Sequence, residues 1–223
     1  MPSRKTFFAP DQIYHVFNRS LNRQPIFSHR RNCERALLVL FFYQHYPRPS
    51  SLSHFIKMSS DRKEKAEEML KKAIKRIEIL AFCLMPNHFH LLIREKQGLK
   101  TSRFLSDFQN SYTRYFNIYH KRKGYLFQGQ FKAVRIETDE QLLHVSRYIH
   151  LNPYSSYIVK DFDQLKDYPW SSLGEYLNIF DHKICEKETL LSYFPTVKKF
   201  EKFIFNQKDY QRDLETIKHL VLE

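Results

Sequence analysis

The 223-residue chain has no apolar run of about 18 residues, the length a membrane-spanning helix requires. Its opening residues, MPSRKTFFAPDQ, lack the apolar segment of a secretory signal. Glycine occurs only 4 times, which excludes collagen-like and glycine-linker architectures. The three cysteines, Cys33, Cys83 and Cys185, are too few and odd in number for a disulfide framework; they suit a reducing cytoplasm. There is no GxxxxGK[ST] phosphate loop, no string resembling KGFGFVxF, and no internal repeat. What the chain does have is 42% hydrophobic and 16% aromatic residues. That is enough apolar surface to offset the entropy of ordering. The length suits one sizeable domain with additions, or two small ones.

Charge of one sign dominates. Lysine and arginine number 37 against 24 acids, a net charge of +13, which points to a polyanionic partner. The excess is uneven. Between Lys100 and Arg135 eight basic residues (Lys100, Arg103, Arg114, Lys121, Arg122, Lys123, Lys132, Arg135) face one acid, Asp107, so this stretch holds +7 of the +13. Phenylalanine and tyrosine interleave with them. Cations that follow phosphates and rings that stack on unpaired bases suit a single strand, although many of these rings also fall at core spacing.

Hydrophobic periodicity gives an α+β order. Residues 12–18, QIYHVFN, alternate as a half-buried strand. A helix is expected over 28–46, with Ser28 as N-cap, then a connector over 47–60. An amphipathic helix is expected over 61–78, capped by Asp61, with Ala66, Met69, Leu70, Ala73, Ile74 and Ile77 on its apolar face. IEILAFCLM and HFHLLIR, separated by Pro86-Asn87, read as a hairpin. A long helix follows over 100–122, a strand over 131–137, and a helix from 140 that starts at Thr138 or Asp139 and that Pro153 should stop. The resulting β-α-β-β-α-β order describes a ferredoxin-like antiparallel sheet with helices on one face. Trp170 is expected to anchor the remainder, which reads as a partly helical C-terminal extension. The division expected is 1–160 for the main domain and 161–223 for the extension.

Two motifs carry chemistry. Side chains alternate along a strand, so His88 and His90 share a face and can converge on one cation, while Phe89 points to the core. His144, Tyr148 and Asn152 are spaced at i, i+4 and i+8 and line one helix face. A buried tyrosine with an asparagine C-cap is the alternative. Structural zinc, with Cys83 joining the histidines, is a further alternative that lacks a fourth ligand. His150 reads equally as a substrate contact or a helix cap, and His15 as a strand histidine that could border the site. Arg19 and Arg23, in the loop after the first strand, are candidate phosphate contacts. Arg103, Arg114, Lys121, Arg122, Lys123 and Lys132 are the further candidate DNA-binding residues.

AFCLMPNHFHLLI and VSRYIHLNPY, in this order, resemble the HUH single-tyrosine transposases, in particular the REP-associated tyrosine transposase type. FNRS, LFQGQFKA and YPWSS are similar to family strings as well, and the resemblance spans about residues 10–175. It implies that His88, Phe89 and His90 are the His-hydrophobic-His motif and that Tyr148 is the nucleophile. It further implies that Asn152, a shorter amide than the glutamine of some relatives, completes a site for Mg²⁺ or Mn²⁺. The implied activity is cleavage and rejoining of single-stranded DNA with hairpin ends through a 5′-phosphotyrosine, by a monomer or homodimer in the cytoplasm. A non-catalytic single-stranded DNA or RNA binding module on the same fold is the alternative.

Overall fold

A computed structural model describes residues 8–96 and 101–206. Lys100, Gly98 and the end of the chain from residue 207 lie outside the described residues. The elements are β1 (Ile13–Arg19), a short 3₁₀ turn (Leu21–Arg23), α1 (Arg30–Tyr43), β2 (His45–Tyr46), α2 (Leu52–Lys57), α3 (Ser60–Lys72), β3 (Ile74–Lys75), β4 (Ile77–Met85), β5 (His88–Glu95), α4 (Thr101–Tyr119), β6 (Lys132–Ile136), α5 (Asp139–Ser155), α6 (Phe162–Lys166), α7 (Leu173–Tyr176), α8 (Glu188–Leu191) and α9 (Val197–Phe205).

Four strands form an antiparallel sheet in the order β4-β5-β1-β6. This is the ferredoxin-like strand arrangement expected, but helices pack on both faces rather than one, because α5 and the segments after it bury the second face. Tyr14, Val16, Leu84, Phe89 and Leu91 point to one face and are buried with Leu37 and Leu40 of α1 and Phe104 and Phe108 of α4. The opposite face carries Ala81, Cys83, Met85 and Leu92, covered by Leu142, Ile149 and Leu151 of α5 and by Leu173, Tyr176 and Phe200 beyond it. The sheet is therefore covered on both faces, and all nine residues of β4 are buried. That explains the near-continuous apolar run IEILAFCLM. The outer edge of β4 is closed too. Leu84 N–H donates to Trp170 O at 2.8 Å, Ser172 N–H to Phe82 O at 3.0 Å, and Glu186 N–H to Ile79 O at 2.8 Å. An edge strand covered in this way offers no free ladder to other chains.

Several boundaries differ from the sequence reading. α1 begins at Arg30 after His29, and Ser28 makes no cap. The connector over 47–60 contains α2, which Ser51 caps by accepting from His54 N–H. α3 ends at Lys72 because Ala73 is extended and Ile74 pairs with Tyr46 in a two-stranded ribbon. Ile74 and Met69 are consequently exposed while Ile77 is buried in β4. The apolar spacing that mimicked one long helix thus belongs to two elements. α5 does start at the Thr138 cap, which accepts from Gln141 N–H at 3.2 Å. It runs through Pro153 to Ser155 rather than stopping before it. Proline removes only its own N–H bond there, and Ser156 N–H still reaches Asn152 O at 3.0 Å.

Candidate active site

The β4–β5 hairpin turns at Pro86-Asn87, with Met85 opposite His88. The turn is held from outside: Phe27 N–H donates to Pro86 O at 2.9 Å and Ser20 N–H to Asn87 O at 2.8 Å. These bonds fix where β5 begins, and with it the position of His88. Phe89 turns to the helix side, where its ring lies 5.2 Å from Phe108 and 5.8 Å from Phe127 between centroids.

Register then builds the site. β1 places Arg19 opposite His88, Phe17 opposite His90 and His15 opposite Leu92, and paired residues of antiparallel strands project to the same face. His15 Nε2 lies 2.9 Å from His90 Nδ1. The His88 and His90 rings stand 5.0 Å apart, nearly perpendicular. α5 crosses this face. The Tyr148 ring meets His90 edge-on at 5.4 Å between centroids and lies 6.1 Å from His15. Three histidines from two strands and one tyrosine from a helix thus come together. Two of the three, with the tyrosine, were legible as motifs. His15 was not singled out as central, because only the β1–β5 register shows that it leans on His90.

Burial governs the protonation of these rings. His15 is pushed down to about 4 by desolvation. His88 is also pushed down to about 4, by desolvation first and then by the Arg19 charge. His88 Nδ1 donates to Asn87 Oδ1 at 2.6 Å, since a carboxamide oxygen only accepts, so Nε2 of the neutral ring carries the lone pair. Unfolded imidazoles protonate near 6.5. Between about 6.5 and 4 the unfolded chain binds more protons than the folded one, so stability is full above 6.5 and falls as pH drops through that window. Melts of the metal-free protein should show a lower Tm at about pH 5 than at about pH 7.5, with a smaller drop in His15→Asn. Equal pH sensitivity in that variant and the native chain would show that His15 is not buried neutral.

Neutral imidazoles are the form that ligates a metal. His88 and His90, on one face with a nitrogen each set by a neighbour on the other side of the ring, fit a divalent cation in their donor chemistry. Among the described residues no cluster of three His, Cys, Asp or Glu side chains is placed to hold a metal. Further ligands would have to be neutral oxygens or come from substrate and water. Asn152 is buried one turn beyond Tyr148. Its Oδ1 accepts from Ser156 Oγ at 3.4 Å, a weak bond that an amide oxygen with two lone pairs can keep while ligating. Cys83 stands opposite His90 on β4, but its thiol lies 3.6 Å from Met85 Sδ and burial pushes its pKa up. A thiolate zinc ligand is disfavoured there. His144 is exposed. His150 neither caps the helix nor faces solvent; it is fully buried against Ser172.

The basic candidates divide by place. Arg19 borders His88, and Lys132 is exposed opposite Phe17 on the far side of β1, on the histidine face. The loop before β6 lies at the same end of the sheet: Leu21 N–H donates to Leu126 O and Gln128 N–H to Arg19 O, each at 2.8 Å. Arg23 and, past the end of α4 at Tyr119, Lys121 and Lys123 lie a few residues along the chain from this junction and are exposed. Arg122 instead holds the loop, donating to Tyr125 O at 3.1 Å. Arg103 is paired with Asp107 at 3.1 Å. Arg114 lines a cavity of about 630 Å³ with Arg31, Arg35, Tyr115 and Tyr119 between α1, α2 and α4. These last two arginines belong to the helix layer on the Phe89 face, so neither reaches Tyr148.

The site thus joins a histidine pair on one strand of an antiparallel sheet to a tyrosine brought to it by a helix. Residues 54–152 match the family model described as IS200-like transposase. The chain is covered by this match over a little under half of its length, and the match is a similarity over that stretch. Its fold is similar to that of a REP-associated tyrosine transposase solved bound to a REP hairpin, with a TM-score of 0.55 at 14% identity, covering 82% of this chain and 90% of that one. A chain from Deinococcus radiodurans R1 described as a transposase aligns at 12% identity over 67% of this chain and 95% of its own, with a TM-score of 0.37, too low to inform the fold. No curated protein sequence matches at a significant level. Among the described residues no helix is long and apolar enough to cross a membrane.

Proposed function

We propose that the protein cleaves and rejoins single-stranded DNA with hairpin ends, using Tyr148 as nucleophile and His88, His90 and Asn152 as holders of Mg²⁺ or Mn²⁺. The observation that carries this reading is the Tyr148 ring at 5.4 Å from the His90 ring, with every group named supplied by one chain. The histidine-rich pocket is a poor place for an unpaired phosphate charge, and a divalent ion bound there would supply Lewis-acid stabilisation of the scissile phosphate. The residues do the rest. Arg19 and Lys132 hold neighbouring phosphates, with Arg23, Lys121 and Lys123 continuing the track. His15 fixes the His90 ring through its Nδ1 side. Tyr148 Oη forms the bond to phosphorus, the bond from phosphorus to the 3′-oxygen breaks, and that oxygen leaves as a 3′-hydroxyl with a proton from water. The phenolic proton passes to solvent or to a substrate oxygen. The phosphotyrosine retains the bond energy, so a later attack by a 3′-hydroxyl reverses the step without ATP.

Residues 1–160 form the catalytic domain in this reading, acting in the cytoplasm, with 161–223 as an extension. The relative solved with a REP hairpin supports a hairpin-ended substrate. The test is incubation with labelled hairpin single strands and Mg²⁺ or Mn²⁺, followed by a denaturing gel. A protein–DNA adduct is expected, absent in Tyr148→Phe. Salt-sensitive shifts with no adduct in the native chain would leave only a binding module.

A further inference from the structure

α5 is tied to the sheet at a point that the reaction itself does not use. His150, two residues beyond Tyr148, is fully buried, and so is Ser172. Its Nε2 lies 2.9 Å from Ser172 Oγ. Phe82 N–H donates to that same oxygen at 2.9 Å, and the hydroxyl lies 3.2 Å from Phe82 O. One assignment satisfies all three contacts. His150 Nε2–H and Phe82 N–H donate to the two lone pairs of Oγ, and the single hydroxyl proton goes to Phe82 O. His150 Nδ1 is then an acceptor, which agrees with its having no hydrogen-bond partner among the described residues. Ser172 N–H also donates to Phe82 O at 3.0 Å. Phe82 belongs to β4 and pairs with Leu91, the residue after His90. One serine therefore joins the strand beside the histidine motif to the helix that bears the tyrosine.

The ring and apolar contacts around this bond are of another kind. Tyr176 and Phe200 lie against the His150 ring at 5.3 and 5.9 Å. Arg147 lies over Phe203 at 3.7 Å. Ile149 and Leu151 bury apolar surface. Apolar burial is strong but non-directional; it holds α5 down without choosing its position along the sheet. A hydrogen bond does choose, and a misplacement of about 1 Å at a reacting group can cost about 100-fold in rate.

We infer that His150 and Ser172 are positioning residues for Tyr148: their bond sets where α5 sits on the sheet, and so sets the tyrosine against the histidine pair. The inference rests on Tyr148 being the nucleophile. Ser172→Ala removes the hydroxyl and keeps the backbone bond to Phe82. His150→Phe keeps an aromatic ring and removes the nitrogens. Single-turnover cleavage of a labelled hairpin strand is expected to slow by about 10- to 100-fold in each variant, with the Kd for that strand within about 2-fold of the native value. Because both variants remove the same bond, the double variant is expected to be no slower than the slower single one. Hydrogen exchange of the amides over 145–151 should accelerate in both, while β5 stays protected.

An unchanged rate in folded Ser172→Ala, or losses that multiply in the double variant, would overturn the inference while leaving the nucleophile in place. Should Ser172→Ala not fold, His150→Phe carries the same measurements, and an unchanged rate there has the same meaning. If the native chain forms no adduct, it is the nucleophile that fails; exchange then decides alone, and unchanged protection of α5 in the variants removes the tie as well.

Discussion

With His90 as a ligand of the proposed cation, His90→Ala is expected to slow strand cleavage by about 10³-fold, because losing one imidazole would remove several kcal/mol of transition-state stabilisation at about 1.4 kcal/mol per decade. Affinity for single-stranded DNA should change little, since exposed cations rather than this buried ring meet the backbone. His90 is 5% exposed and sits between His15 and Tyr148. Its removal therefore also releases the groups on either side, and adding Mn²⁺ at higher concentration should restore only part of the rate. Cleavage assays over a metal titration, with binding followed in parallel, separate the two effects. A native rate at saturating metal would mean that His90 is not a ligand.

Phe89→Ala is the largest expected loss of stability among single changes near the site, about 3–5 kcal/mol. Phe89 is completely buried, edge-on to both Phe108 and Phe127. Truncation leaves a cavity between β5, α4 and the loop that leads to β6, in a core whose other members are held by their own packing. The side chain has a second consequence because it lies between His88 and His90. A strand that twists to fill the hole carries both imidazoles with it. Denaturant unfolding should show the midpoint fall, and cleavage by the remaining folded protein should fall as well. A loss below about 1 kcal/mol would show that the site collapses around the gap.

The two effects bear on how a small motif is made precise. Neither histidine is placed by the turn alone. The hairpin turn is held by Phe27 and Ser20, Phe89 fastens the strand from one side, and α5 closes over it from the other. The C-terminal segment, where Trp170 of the YPWSS string is the expected anchor, supplies both the cover for the β4 edge and the serine that meets His150. Trp170 itself is only partly buried; its carbonyl, accepting from Leu84 N–H at 2.8 Å, makes the attachment.

Local rules were enough for a good part of this. Alternation on a strand put His88 and His90 on one face and Phe89 on the other, the helical repeat put Tyr148 and Asn152 on another single face, and Thr138 announced the start of α5. Each depends only on neighbours within a few residues, where backbone geometry dictates direction. Tertiary structure decided the rest. Which strand lies beside β5, and in what register, brought His15 to His90 and Arg19 to His88, and sent Arg103 and Arg114 to the other layer. Which face α5 covers brought Tyr148 to the histidines and His150 to Ser172. Those outcomes join residues about 20 to 130 positions apart through the burial of both sheet faces at once, a non-directional and collective force whose result no local spacing encodes.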